Sequence, residues 1–128
     1  MKAWIPLTLV LALGTAASAQ ADCTYPRAPE APPDGNTATK DQMIAAKHDY
    51  DRYNGEMNSY LDCLKLEMDA AAPKDPTKLT PDEKKKADEQ QKVLVQKNNA
   101  AVDELQAVVG HFNEQLKIYK AKAAASKS

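Results

Sequence analysis

The stretch APKDPTKLTPDE, Ala72 to Glu83, decides how the rest of the chain folds. Pro73 and Pro76 stop a helix here, because each lacks a backbone N–H and its ring clashes with the preceding turn. Thr80-Pro81-Asp82-Glu83 then starts another. Thr80 is suited to the N-cap, Pro81 to the first helical position, and Glu83 closes a capping box. Residues 72–79 are too few and too polar to be anything but a connection between helices. The flanking segments are therefore expected to lie antiparallel.

Upstream, Thr39 and Gln42 form a second capping box and open a helix expected over about 39–71. Its apolar residues follow a heptad, with Met43, Tyr50, Met57 and Leu64 on one line and Ala46, Tyr53 and Tyr60 on the other. Three heptads at that spacing make a seam, and Asp49, Asp51, Arg52, Asn58 and Asp62 fall off it. Downstream, no proline interrupts a second helix expected over about 80–122, with 123–128 as a disordered tail. Its stripe takes in Leu94, Ala101 and Val108, then Asn98, Leu105, Phe112 and Tyr119, with Val95, Val102, Val109 and Leu116 alongside. That width suits a bundle helix better than a narrow two-stranded seam. The fold class is all-α: a long, coiled-coil-like antiparallel hairpin.

Folding the hairpin about the middle of the connection sets Leu64 beside Ala87, Tyr50 beside Ala101 and Met43 beside Val108. On that register the second helix overhangs the start of the first by about ten residues, some 15 Å. Leu116, Ile118 and Tyr119 then form a contact surface on the overhang, for a second copy or a partner. Gly110 faces away from the seam and would let the overhang bend.

Residues 20–38, ahead of the hairpin, read as a proline-rich strap. Pro26, Pro29 and Pro32 are spaced by three, one turn of polyproline II, so they fall on one side. From Cys23 to Ala38 such a segment reaches roughly 46 Å, and Thr39 to Cys63 along a helix is about 36 Å. The strap can therefore double back at Asp34-Gly35, a turn dipeptide, and run beside the first helix until Cys23 meets Cys63. An even cysteine count in an exported chain argues for a disulfide. A bridge within the chain is the favoured connection, and one between chains is its competitor. The same proline spacing would suit a ligand for a proline-binding groove, but Arg27 stands at neither usual distance.

Residues 1–19 have the parts of a secretory signal: Lys2, the apolar run Ile5–Leu13, and Ala17-Ser18-Ala19 for the peptidase. The apolar run is about nine residues, roughly half of what crosses a bilayer. Asp22 stands where a lipobox needs a small residue. Cleavage after Ala19 leaves 109 of the 128 residues and, with Lys2 lost, moves the net charge from −1 to −2. A balance so near neutral gives no electrostatic reason to expect nucleic acid or anionic lipid as a partner. No later run is long enough to cross a membrane, so one small, soluble, periplasmic domain is expected.

Candidate chemistry is sparse. Ser59, Ser126 and Ser128 are the only serines after the signal, and His48 and His111 stand apart, so no nucleophile, base and orienting group assemble. His48 with Asp51 and His111 with Glu114 are two-ligand pairs, whereas a structural metal site takes four. The tyrosines at heptad spacing read as core rather than as an aromatic platform. Asn98 reads as a register-setting residue. No catalytic residue, cofactor or metal is expected.

The pattern of Cys23, Tyr25-Pro26, Pro32-Pro33-Asp34-Gly35, Thr39, Met43 and Tyr60-Leu61-Asp62-Cys63-Leu64 resembles a group of small, uncharacterised exported proteins of Gram-negative bacteria. The match covers roughly residues 23–66, and its most specific element is the cysteine pair bracketing the Pro-Asp-Gly turn. The second helix carries no motif of the group. The resemblance implies a periplasmic address and a stapled helical hairpin, with no activity attached. The expected role is that of a non-enzymatic envelope protein acting through protein–protein contact. A chaperone-like protein holding unfolded clients is the alternative. A ligand carrier would need an enclosed apolar pocket, for which two helices offer little volume.

Overall fold

The computed structural model describes residues 22–128, so the expected signal segment lies outside the described residues. Two helices account for most of the chain, α1 over Lys40–Ala71 and α2 over Pro81–Ala125, and no strand occurs among the described residues. Both capping boxes are formed. Thr39 Oγ1 accepts the Gln42 N–H at 3.2 Å while Gln42 Oε1 accepts the Thr39 N–H at 2.9 Å. The Thr80–Glu83 pair repeats this at 3.3 and 2.8 Å. α1 ends where Pro73 follows its C-cap, Ala72. α2 runs unbroken through Gly110 to Ala125, three residues further than expected, which shortens the anticipated tail. Among the described residues, no helix is long and apolar enough to cross a membrane.

The heptad of α1 is its buried face. Met43, Tyr50, Tyr53, Met57, Tyr60 and Leu64 are all buried, and Ala46 is half-buried. The opposite face is charged and exposed, laced by i,i+4 pairs such as Lys47–Asp51 and Arg52–Glu56. Each such pair contributes only about 0.3–0.5 kcal/mol, so burial of the apolar face dominates. α2 fully buries only Leu94, Ala101 and Phe112. Val102 and Val109 stay half-buried and Val95 is exposed, so the wide stripe is incompletely covered.

The register differs from the sequence expectation. Tyr50 stacks on Phe112, ring centroids 4.6 Å apart, eleven residues along α2 from the Ala101 it was expected to meet. Ala101 instead joins the cluster of Tyr53, Met57, Tyr60, Leu64 and Leu94. Large faces small there, and ring faces ring at Tyr50. The connection explains the shift. It is not a symmetric turn: Ala72, Asp75 and Leu79 are extended, and only Pro76–Lys78 coils, as a 3-10 turn. It therefore carries α2's start past the end of α1. Leu66, Ala70 and Ala71 share one groove with Gln90, Val93 and Leu94. Residues 81–89, about 13 Å of helix, consequently project beyond α1.

The overhang is thus at the beginning of α2, and its other end, expected to overhang the start of α1, carries the turn of the strap. Leu116 and Tyr119 pack against the cluster of Met43, Tyr50 and Phe112, and Leu116, Ile118 and Tyr119 are all half-buried. What covers this end is the turn of the strap. Gly35 donates its N–H to Gln115 Oε1 at 2.9 Å, and a Cβ on Gly35 would lie 2.8 Å from both Ile118 Cβ and Tyr119 N. The Lys122 ammonium donates to the Asn36 carbonyl in the same turn.

From that turn the strap returns to a disulfide between Cys23 and Cys63, whose Cα atoms are 5.7 Å apart. The bridge is within the chain. Pro26 is buried and Pro29 and Pro32 are half-buried, while the residues between them are exposed. This is the one-sided face that a period of three provides. The strap lies against both helices rather than beside α1 alone. The Tyr25 ring meets Tyr60 edge-on at 4.9 Å, and its hydroxyl donates to Glu104 of α2 at 2.6 Å. Tyr50 donates to the Glu30 carbonyl at 2.8 Å.

Candidate docking groove

Three constellations compete to be a functional site: the disulfide with its neighbours, the tyrosine network, and the groove where α1 ends. Cys23, Cys63 and Glu67 bring three metal-type donors within 4.8 Å of one another. The two sulfurs are bonded to each other, and it is the thiolate that ligates metal. The cluster is therefore a disulfide with a carboxylate beside it, Glu67 Oε1 standing 3.1 Å from the Cys23 sulfur.

Glu104 draws the tyrosines together. Its two oxygens accept from Tyr25 at 2.6 Å and from Tyr53 at 3.4 Å, so one α2 side chain ties strap, α1 and α2. Burial, then the Glu104 charge and hydrogen bond, push the Tyr53 hydroxyl up to about 12. Burial followed by the bond to Glu104 also raises Tyr25, burial alone raises Tyr50, and burial with the Glu67 charge raises Tyr60. An acid–base catalyst works best with a pKa near the operating pH. These hydroxyls are moved away from it, and those of Tyr25, Tyr50 and Tyr53 serve as neutral donors.

His48 and His111 are exposed, and Asn98 is half-buried on the seam. Pro81, Lys84, Lys85, Asp88, Glu89 and Lys92 line only a shallow, charged depression on the projecting start of α2.

The groove at the end of α1 is different in kind. It has a volume of about 720 Å³, with Leu66, Ala70 and Ala71 from α1 opposite Val93 and Leu94 from α2. Asp22 and Glu67 edge one wall and Lys97 the other. Leu66 is 70% exposed, the most exposed large apolar side chain among the described residues, and Val93 is 50% exposed. A scattered exposed leucine is ordinary. Two such side chains converging on one concave strip, edged by charge, are what protein-docking surfaces present.

Of the residues singled out in the sequence, the structure joins Cys23 to Cys63, sets Ile118 and Tyr119 against the strap turn, and packs Leu116 on the cluster of Met43, Tyr50 and Phe112. Leu66 and Val93 escaped notice. The signal was a large apolar residue on neither line of the α1 heptad, which becomes informative only once the register places Val93 across from it. No protein-family model, curated protein or solved structure matches this chain.

Proposed function

We propose that this chain is an exported, non-enzymatic protein of the cell envelope that acts by binding another protein at the α1–α2 groove. The observation that carries the reading is the exposure of Leu66 and Val93 on one concave strip. The address is supported by the signal-like first nineteen residues, by the resemblance over 23–66, and by a disulfide of the sort kept in oxidising compartments. Support also comes from the rest of the body, where the charged face of α1 is solvated and the strap fills the other apolar face.

A photo-cross-linking residue at position 66 or 93, placed in cells and irradiated, should give a discrete adduct. The same residue at Ile44, 47% exposed at the far end of α1, should not. A smear of adducts at all three positions would favour the chaperone-like reading instead. Adducts at none of them would remove the docking reading.

A further inference from the structure

We infer that the occupant of this groove is a second copy of the chain, bound about a two-fold axis. The inference rests on the docking reading and names its partner. A two-fold interface must be self-complementary, with residue i of one copy meeting j of the other and j meeting i. The groove has that property. Its acidic wall, Asp22 and Glu67, comes from the strap and α1, and its basic wall, Lys97, comes from α2. None of the three joins an ion pair among the described residues. Rotation about an axis along the apolar strip sets each acidic wall against the other copy's Lys97 and each Leu66 against the other copy's Val93.

The interface is small. A stable complex buries about 800 Å² per partner, and the apolar strip is carried by five side chains. Affinity on the order of micromolar or weaker is therefore expected, with charge pairing deciding specificity.

Sedimentation velocity on the exported, oxidised chain, from low micromolar to near-millimolar concentration, should show a reversible monomer–dimer equilibrium. Leu66→Asp should weaken it by about tenfold or more without changing the melting temperature, because Leu66 is exposed. The decisive arm uses charge reversal. Glu67→Lys and Lys97→Glu should each abolish self-association, since both cross-pairs become repulsive. Mixed together, the two variants should associate, because both cross-pairs become attractive. If Glu67→Lys disturbs the nearby disulfide and lowers the melting temperature, Asp22→Lys on the same wall replaces it.

A chain that stays monomeric throughout, or a dimer indifferent to Leu66→Asp and to the mixing, overturns the inference. In those cases cross-linking from position 66 separates the two readings. An adduct to a different protein leaves the docking reading standing without self-association, and no adduct ends both.

Discussion

Gly35 is a glycine because of what lies over it. No glycine in the described chain has a positive φ, so backbone conformation is not the reason. A Cβ there would press on the Gln115 carbonyl, on Ile118 and on the Tyr119 nitrogen, two of these being backbone atoms that cannot swing aside. Gly35→Ala should therefore destabilise the chain by about 1–3 kcal/mol, as overpacking does. Gly110 has nothing within 4 Å of its notional Cβ and sits mid-helix. Gly110→Ala should stabilise by roughly 0.5–1 kcal/mol. Urea unfolding of both variants checks the pair, and equal effects would contradict it. Glu67 supports a kinetic prediction. A carboxylate 3.1 Å from the Cys23 sulfur repels an incoming thiolate and disfavours the departing one. Glu67→Gln should speed reduction by a small dithiol about fivefold to tenfold at low salt, and less at high salt. The spacing of Pro26, Pro29 and Pro32 was legible in the sequence as a face. The need for glycine at 35 was not, since the atoms that enforce it are eighty residues away.

Each helix shows its limits in its own residues, and the two caps have unequal consequences. Thr39 opens a turn that is packed: Met43 is buried one turn on, and Ala38 lies against the same cluster. Thr80 opens a stretch that projects past α1 with every residue from Pro81 to Lys86 exposed. Thr39→Ala should lower global stability by about 1 kcal/mol. Thr80→Ala should hardly move the melting temperature and should instead accelerate amide exchange over 81–89, because helix without tertiary contact opens locally. Acid should act likewise. Hydrogen bonds from the Thr80 backbone and hydroxyl hold the Glu83 carboxyl below its ordinary range. The contribution of that bond is present above the ordinary carboxylate value and is lost as pH falls through the depressed one. Fraying of the α2 start should thus grow in acid while the core of the hairpin persists. Caps and heptads were readable because they are local. The register was not, because it depends on how far a partly extended connection travels and on Phe112 finding Tyr50.

At the scale of the whole molecule, a strap, a disulfide and four tyrosines make two helices into a three-layered body. Two helices and a connection alone bury too little, and the bridge across forty residues of sequence stabilises by about 4 kcal/mol in the chain-entropy model. The cysteine pair and the proline face announced this layer. Its position over both helices stayed hidden, because Glu104 and Gln115 look like ordinary solvated residues in the sequence. The tyrosines give this layer a pH limit. Tyr25, Tyr50, Tyr53 and Tyr60 all titrate above their ordinary value near 10, with burial first among the causes. A group raised in the folded state contributes stability in full below its unfolded value, and the contribution is lost as pH climbs through the folded one. Stability should therefore be insensitive to these groups through neutral pH, begin to fall near pH 10, and fall steeply towards 12, the value to which Tyr53 is pushed. Ultraviolet absorbance of tyrosinate should rise together with loss of helical circular dichroism if the tyrosines ionise only on unfolding. Tyr53→Phe should flatten the alkaline fall, because it removes one of the raised groups while keeping the buried ring. Tyrosinate absorbance rising as a simple titration near pH 10 in a fully helical chain would show that the strap does not shield these rings, and the three-layered account would fail.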